Sequence, residues 1–487
     1  MARPTVLHLT KKIFGFHSEN TDQRWIKERL EKLRCQFTWT LLIEDNEIHD
    51  LESRIFEEIE FLDIKYNVGM HNLLAYVRYL EGQNEESLES LKRAEKLIQQ
   101  KHADQSDLRS LVTWGNYAWV YYHMGKLAEA QTYLNKVKNT CKKFSDTSGY
   151  TIECPEIDCE EGWALLKCGG QNYERAKVCF EKALEVDPKN PESCAGYAIT
   201  LYRLEGMSLL ETGLSLQPLK QALRLNPENA YIKALFALKL QELGQEAEGE
   251  KYIKEALAST SFQNYVLRYA GKFYRKQGSL DKALEFLQMA LRAMPDSALL
   301  HHQIGLCYRQ KVFQMKDGTN RKPRGQDRDY DKKIKSAIYH LEFAVKQKPT
   351  FDIAYIHLAS MYIEAGDYRK TEETFQKALE INPQDELKKQ KLHFHYAKFQ
   401  ELQMKNEVCA ITYYLKAIKI GKGPALKDKS ISALEKLALR KSQRNASNEE
   451  SLSLHEFVCK LRGETKKEPE NYEKVIRLVT DFENSEK

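Results

Sequence analysis

The sequence is poor in the residues that make tight turns. Glycine and proline number only 23 and 12 among 487 residues, which disfavours turn-dense β-sandwich, collagen-like and low-complexity classes. Long apolar stretches are missing too, because no run approaches the roughly 18 residues that a membrane-spanning helix requires. The composition therefore predicts a helical protein without a membrane span.

The N-terminus lacks the features of a secretory signal. Residues 1–18 carry Arg3, Lys11 and Lys12, but they contain neither a continuous apolar core nor a small-residue cleavage site. The ten cysteines are scattered singly, without a C-x-x-C pair, which is typical of proteins in a reducing cytosol. We therefore predict a cytoplasmic protein whose residues 1–30 are an N-terminal extension outside the core.

Motifs of enzymatic and metal chemistry are also missing. The chain has no glycine-rich phosphate loop after a strand, no G-x-S-x-G and no H-E-x-x-H. His393 and His395 point to different faces of a helix, and neither this pair nor the adjacent His301 and His302 has a Cys or carboxylate at ligand spacing. We therefore expect no catalytic residue, no metal and no cofactor.

Charge is nearly balanced in sum but uneven along the chain. The net charge is +5, yet residues 44–63 hold nine acids against one base, whereas residues 309–335 hold ten bases against four acids. A local excess of charge fits a binding surface or a solvated face. The sequence leaves both interpretations open.

One spacing of small and large residues recurs along most of the chain. A small residue is followed by a large apolar residue four positions later, by a second small residue three positions after that, and often by proline. This is the tetratricopeptide signature, in which small residues let paired helices approach closely and the large residue fills the groove between them. The clearest copies are Ala176/Phe180/Ala183, Ala283/Leu287/Ala290, Ala337/Leu341/Ala344 and Thr371/Phe375/Ala378.

The repeats are irregularly spaced. Ala222, Ala256 and Ala290 lie 34 residues apart, which is the standard tetratricopeptide period. Longer intervals elsewhere indicate extended helices or insertions, above all around the basic stretch from Lys311 to Lys335. We therefore predict an all-α, irregular tetratricopeptide α-solenoid, and its irregular pitch is compatible with an open groove or with a superhelix closed around a tunnel.

The predicted repeats fall into three subdomains. The N-terminal subdomain, 31–150, has repeats at about 68–101 and 111–144. The central subdomain, 151–297, has repeats at about 157–190, 196–229, 230–263 and 264–297. The C-terminal subdomain, 298–487, has an expanded repeat at about 298–351, repeats at 352–385 and 391–424, and a degenerate one at 449–482.

The segment 265–276 combines bases with aromatic residues. Arg268, Lys272, Arg275 and Lys276 are spaced to share one helical face, and no acid occurs from 256 to 280. Cations for phosphates and rings for bases are typical of single-stranded nucleic-acid binding. Equally compatible with the residues is a structural interpretation, in which the rings belong to the repeat core and the bases are solvated.

Trp163 is followed four residues later by Lys167. A tryptophan inside a repeat most often belongs to the core, and the residues by themselves favour that interpretation. The alternative is that the ring faces a cavity and stacks on a positively polarised base, while Lys167 binds its phosphate.

Several stretches together resemble a known family, the interferon-induced proteins with tetratricopeptide repeats. They include CQFTW at 35–39, HNLLAYV at 71–77, ECPEIDCEEGWALLKCGG at 153–170, LRYAGKFYRK at 267–276 and LHHQIGLCYR at 300–309. The resemblance extends from about residue 30 to the C-terminus. It is strongest to the first-numbered member of the family and its near paralogue.

The resemblance implies a function and a set of partners. Members of the family are non-enzymatic, cytosolic antiviral effectors that bind the 5′ end of non-self single-stranded RNA, carrying a triphosphate or a cap without ribose 2′-O-methylation, and block its translation. In cap-binding members a positively charged central tunnel admits the RNA. Further implied partners are other members of the family, in hetero-oligomers, and the translation initiation machinery, but no membrane.

The resemblance also implies three groups of RNA contacts. The cap-binding residues would be Trp163, Leu62, Ile64, Leu166, Ile199 and Glu192. The 5′-phosphate would be held by Arg54, Lys167, Tyr173 and Arg203. The first nucleotides would contact Asn229, Tyr231, Tyr265, Arg268, Tyr269, Lys272, His302, Gln303 and Lys348.

A second class of function stays open from the residues alone. Tetratricopeptide arrays usually hold peptides in a concave groove, so a protein-only scaffold in innate immunity with weak or no RNA binding is the alternative hypothesis. Salt dependence separates the two, because an RNA held through several phosphates is released steeply as salt rises.

Overall fold

The computed structural model describes residues 21–43, 48, 51, 52, 55, 59, 67–101, 103–144, 149–207, 213–258, 264–318, 328–383 and 385–444, and these residues form helices and connecting turns without a strand. No helix in this described part is long and apolar enough to cross a membrane. The chain divides into two compact units, Met1–Phe273 and Tyr274–Lys487. The predicted division into three subdomains stays a prediction, and the predicted degenerate repeat at 449–482 lies outside the described residues.

The first unit contains helix pairs that follow one another along the chain. Its helices are α1 (Thr21–Leu30), α2 (Asn67–Leu80), α3 (Asn84–Lys101), the short α4 (Ser106–Arg109), α5 (Leu111–His123), α6 (Leu127–Phe144), α7 (Pro155–Lys167), α8 (Tyr173–Val186), α9 (Pro191–Gly206), α10 (Leu216–Leu225), α11 (Ala230–Glu242), α12 (Glu246–Ala258) and α13 (Asn264–Gln277), whose last turn belongs to the second unit.

The second unit continues the same arrangement. Its helices are α14 (Leu280–Ala293), α15 (Ala298–Gly318), α16 (Arg328–Gln347), α17 (Asp352–Ala365), α18 (Tyr368–Ile381), α19 (Glu386–Phe399), α20 (Glu407–Ile420) and α21 (Pro424–Arg444). Helices α15 and α16 have 21 and 20 residues against 14 in α17. The long interval in this repeat therefore comes at least partly from extended helices.

The repeat signature marks the faces on which the helices pack. Ala176, Phe180 and Ala183 are fully buried on α8, and the corresponding residues of α14, α16 and α18 are equally buried. This confirms the predicted repeat core. The signature residues lie on the second helix of each pair because that helix is covered by its own partner and by the next repeat.

Two glycines bring the helices around Phe180 unusually close together. A Cβ atom at Gly162 of α7 would lie 2.9 Å from the Phe180 ring, and one at Gly196 of α9 would lie 2.3 Å from it. Real side chains do not approach so closely, so only glycine permits this packing. Helices α7 and α9 are thereby held against the same ring.

Residues 21–30 belong to the fold, although they were predicted to be part of an N-terminal extension of residues 1–30 outside the core. Helix α1 buries Ile26 and Leu30 in the core of the first unit, because these two apolar residues are one helical turn apart and form a stripe. Arg34 then donates to Asp158 at 2.6 Å and to Glu161 at 3.0 Å. The chain is thus part of the fold from α1 onward.

Candidate functional site

An open cavity lies within the first unit, and its space, counted together with the solvent at its mouth, is about 1320 Å³. Its wall is formed by residues of α2, the α4–α5 region, α7, α9, α11 and α13, together with the turns before α9 and α11. Apolar side chains such as Met70, Val112, Ile157 and Ile199 share this wall with charged and aromatic ones. A cavity with apolar, aromatic and charged walls suits a ligand that has both apolar and charged parts.

Helix α7 lines the cavity with one face. Glu156, Glu160, Trp163 and Lys167 all line it, and their spacing of three and four residues places them in one row along the helix. The Lys167 Nζ atom lies 5.3 Å from the centre of the Trp163 ring. Along α7 the wall therefore changes from acidic, through aromatic, to basic.

Helix α9 has the same order of charge. Glu192 is at its start, Ala195 and Ile199 follow on the cavity wall, and Arg203 is in its last turn. The start of α9 is fixed by Asn190, whose side-chain oxygen accepts hydrogen bonds from the backbone of residues 192 and 193 at 3.1 and 3.0 Å. Both helices are thus acidic where they begin and basic where they end, as the helix dipole favours.

Arg203 connects the cavity to a cluster of tyrosines. Its guanidinium donates to the Leu166 carbonyl at 3.3 Å, to the Tyr173 hydroxyl at 3.2 Å and to the Tyr231 hydroxyl at 3.4 Å. Tyr231 in turn lies 3.3 Å, oxygen to oxygen, from Tyr269. These contacts hold the arginine in one position, so its charge is pre-organised for an anion.

The basic face of α13 joins this cluster. The Arg268 guanidinium lies 4.9 Å from the Tyr265 ring centre and 5.0 Å from that of Tyr269, and Lys272 lies 5.9 Å from the ring of Tyr202. Burial by itself raises the pKa of Tyr269, but the charges of Arg268, Arg203 and Lys272 outweigh it and lower the pKa to about 8. A lowered tyrosine pKa is the signature of a strongly positive environment.

Most of the predicted RNA-contact residues of the first unit lie on the cavity wall or in the adjoining cluster of tyrosines and cations. Trp163, Lys167, Glu192, Ile199, Asn229, Tyr231 and Tyr265 line the cavity, and Tyr173, Arg203, Arg268 and Tyr269 follow through direct contacts. Trp163 is 9% exposed and meets the Phe180 ring edge-on at 5.6 Å. Trp163 therefore belongs both to the core and to the cavity wall. The prediction of a core residue and that of a ring facing a cavity are compatible.

The remaining predicted contacts are placed differently. The Leu166 side chain is fully buried in the core, and only its carbonyl reaches Arg203. The Asn229 side chain accepts a hydrogen bond from the Ile232 backbone at 3.0 Å and so caps α11. Phe273 and Tyr274, included in the basic-aromatic segment, are core residues. Arg54, Leu62 and Ile64 lie outside the described residues.

His302, Gln303 and Lys348 belong to the second unit. His302 Nε2 lies 2.9 Å from His357 Nδ1, and burial, aided by Arg275 and Arg309, lowers the pKa of His302 to about 3. The imidazole is therefore neutral and acts as a hydrogen-bonding group, not as a cation. The Gln303 Oε1 atom is buried without a hydrogen-bond partner among the described residues.

Sequence reasoning missed several residues of the cavity. Glu156 and Glu160 share the α7 face with Trp163, so helical spacing alone could have found them. Arg109 also lines the cavity, but it comes from the short α4, about fifty residues earlier in the chain, and no local pattern marks it. Within the described residues no group of three or more His, Cys, Asp or Glu is placed to hold a metal ion.

Known protein families and relatives match most of this chain. Models of the tetratricopeptide repeat match residues 68–143, 170–190 and 353–385, and a model described as the Psidin N-terminal TPR repeats region matches 211–319. The chain is 61% identical over 472 residues to the human antiviral innate immune response effector IFIT1, covering 96% of this chain and 99% of the relative. It is 44% identical over 463 residues to human interferon-induced protein with tetratricopeptide repeats 2, covering 94% and 96%.

The chain belongs to the family of interferon-induced proteins with tetratricopeptide repeats. The resemblance inferred from the sequence is thereby confirmed, including its closeness to the first-numbered member and a near paralogue, since human protein IFIT1 homolog B is 58% identical over 469 residues, covering 96% of this chain and 99% of the relative. Membership also confirms the predicted all-α tetratricopeptide architecture.

Solved structures of this family match nearly the whole chain. A monomeric mutant of IFIT1 with Gppp-AAAA has a TM-score of 0.86 at 60% identity, covering 94% of this chain and 98% of that one. A human IFIT1 dimer with PPP-AAAA has a TM-score of 0.81 at 57% identity, with the same coverage. Those relatives were thus solved with short RNAs that carry a cap or a triphosphate.

Proposed function

We propose that this protein binds the 5′ end of single-stranded RNA in the cavity of its first unit and acts as a non-enzymatic antiviral effector that blocks translation of the bound RNA. The observation that carries the proposal is the order of groups along α7 and α9. Each helix offers a carboxylate to the cavity wall near its start, and α7 adds the Trp163 ring and then Lys167. Arg203, in the last turn of α9, donates to Tyr231, which lines the cavity.

This order matches the chemistry of an RNA 5′ end. A terminal base has a flat face for Trp163, and the phosphates that follow are anions for Lys167 and Arg203. Tyr231, Tyr265, Arg268 and Lys272 continue the aromatic and basic surface, which suits the next nucleotides. The relatives solved with Gppp-AAAA and PPP-AAAA support the same ligand for this chain.

Partners and location belong to the same proposal. The residues of the cavity hold RNA in this proposal through stacking and charge. We therefore infer that no catalytic step is involved. The nine cysteines in the described part of the chain are all free thiols, which supports a cytoplasmic protein. A human relative was solved as a dimer, which supports association with other members of the family. The central tunnel, the contact with the initiation machinery and the roles of His302, Gln303 and Lys348 stay predictions.

A binding comparison tests the proposed function. Four RNAs of the same sequence are compared. They carry a 5′-triphosphate, an unmethylated cap, a 2′-O-methylated cap or a 5′-hydroxyl. We expect the triphosphate and the unmethylated cap to bind at least about tenfold more tightly than the hydroxyl end, since charged contacts are involved, with affinity falling steeply as salt rises. Equal affinity for all four ends would contradict the proposal and favour the protein-only scaffold.

The pKa of Tyr269 predicts a pH dependence of RNA affinity. Below about pH 8 the hydroxyl is neutral, whereas above it a phenolate beside Arg268 competes with the RNA phosphates for the same cations. We therefore expect affinity to fall as pH rises through 8, by roughly tenfold if bound RNA raises the pKa of Tyr269 by about one unit. Titrations at constant ionic strength measure this.

The matched variant for this titration is Tyr269→Phe. It keeps the ring near Arg268 but has no proton to lose, so its affinity should stay level over the same pH range. A wild-type curve that superimposes on that of Tyr269→Phe would show that another group, or none, controls the pH dependence.

A further inference from the structure

Glu160 is a carboxylate on the cavity wall that is held in place by the protein around it. Its Oε1 atom accepts hydrogen bonds from Asn72 Nδ2 at 2.8 Å and from Gln36 Nε2 at 3.4 Å. Gln36 is itself fixed, because its Oε1 accepts from Asn116 Nδ2 at 2.6 Å. Three amide side chains from different parts of the first unit thus fix the orientation of one carboxylate.

The second oxygen of this carboxylate is not used in the same way. Glu160 Oε2 accepts no hydrogen bond from any residue that the structure describes, although Glu160 lines the cavity. Burial raises the pKa of Glu160, against the effect of Asn72, Gln36 and the nearby charge of Arg109. Glu160 is half-buried, so its second oxygen is open to the cavity and can accept a hydrogen bond from a donor that enters with a ligand.

The position of Glu160 indicates which part of a ligand it meets. It is three residues before Trp163 and seven before Lys167 on the same face of α7, and all three side chains line the cavity. A nucleotide with its phosphates at Lys167 and its base on Trp163 therefore directs the far edge of the base toward Glu160. Guanine carries two neighbouring N–H donors on that edge, at N1 and the 2-amino group. Adenine instead has an acceptor at N1, no donor at C2 and a single donor at its 6-amino group.

We infer that Glu160 is a specificity-determining residue whose Oε2 accepts a hydrogen bond from the donor edge of a terminal guanine. This inference rests on the proposed function, because it requires the 5′ end of RNA to occupy the cavity. It adds a reason for choosing guanine. An acceptor fixed opposite N1 and the 2-amino group of guanine meets donors there, whereas adenine places the N1 acceptor opposite it, and two acceptors then face each other without a proton between them.

The test uses four RNAs of one sequence, with the 5′ ends Gppp, Ippp, Appp and ppp. Inosine lacks only the 2-amino donor of guanine, and the triphosphate lacks the terminal base. For the wild-type protein we expect Gppp to bind several-fold more tightly than Ippp and at least about tenfold more tightly than Appp, on the scale of hydrogen bonds to a charged group. This comparison does not depend on any variant.

The variant is Glu160→Gln, which has the same shape. Asn72 and Gln36 both donate, so the amide oxygen stays with them and the amide NH₂ faces the ligand. We expect Gppp affinity to fall by roughly 10- to 50-fold, the preference for Gppp over Ippp to disappear, and ppp affinity to stay within about twofold of wild type, because no base is present. Glu174→Gln is the matched control, since Glu174 is an exposed carboxylate of α8 that does not line the cavity, and it should keep the preference.

Several outcomes would overturn the inference. One is a Glu160→Gln protein that keeps the wild-type preference for Gppp over Ippp and Appp, and another is a wild-type protein that binds these three equally. A parallel loss of Gppp and ppp binding in the variant would show a structural role only. If the wild-type protein binds neither Gppp nor ppp RNA, the proposed function itself fails, which is a distinct result.

Discussion

Replacing Arg268 and Lys272 by glutamate should abolish RNA binding, with a loss of roughly 100-fold or more. Both cations pack on tyrosine rings, and one of the rings under Arg268 is that of Tyr265, which lines the cavity. The double variant removes two charge-assisted contacts, each of the order of 1.5–3 kcal/mol, and puts repulsive carboxylates in their place. Titration of triphosphate RNA into each protein measures the effect.

The matched control reverses two lysines elsewhere in the first unit. Lys251 and Lys254 of α12 are exposed and do not line the cavity, so Lys251→Glu with Lys254→Glu changes the net charge equally. This control should keep most of the affinity, and both double variants should keep the wild-type circular dichroism spectrum. If the Arg268 and Lys272 variant is folded and binds RNA normally, the basic face of α13 is merely solvated.

Trp163→Ala should lower the affinity for capped RNA by roughly 5- to 150-fold, because stacking of a base on an aromatic ring is worth about 1–3 kcal/mol. Trp163→Phe should keep much of the affinity. Triphosphate RNA has no terminal base to stack, so it should lose less. Paired affinities for one RNA sequence with each 5′ end measure the difference.

The alanine variant will also lose stability, since Trp163 is only 9% exposed and packs on Phe180. A buried aromatic residue replaced by alanine costs about 3–5 kcal/mol. Phe236→Ala is therefore a suitable control, because Phe236 is 4% exposed in the same core cluster and does not line the cavity. If Trp163→Ala resembles Phe236→Ala, with a lowered melting temperature and equal loss for both RNAs, the stacking role is wrong.

The repeat architecture could be predicted because its cause is local. Residues such as Ala176, Phe180 and Ala183 must occupy one face of one helix, and that spacing is visible in any copy of the signature. The same reasoning placed Arg268 and Lys272 on a common face. It also assigned Trp163 and Lys167 to one helix, but it missed the cavity-lining acids of that helix, Glu156 and Glu160, although their spacing was equally visible.

Residue spacing could not predict which helix faces line a cavity and which pack in the core. Phe273 and Tyr269 are four residues apart on α13, yet Phe273 is fully buried in the core while Tyr269 joins the cluster around Arg203. Spacing also could not find residues that come from distant parts of the chain. Arg109 reaches the cavity wall, and Asn72 and Gln36 reach the Glu160 carboxylate, from such parts.

The sequence by itself determined that this protein is a helical repeat array and which residues each helix presents together, since both follow from periodicities of three to four residues. Only the tertiary structure decided that α7 and α9 pack against the same Phe180 ring, that the acids at both helix starts line one cavity, and that Arg203 at the end of α9 reaches the end of α7 at the Leu166 carbonyl. The reason is physical: helix pairing depends on contacts such as those of Gly162 and Gly196 with Phe180, and a polarised binding site exists only once separate helices share a wall.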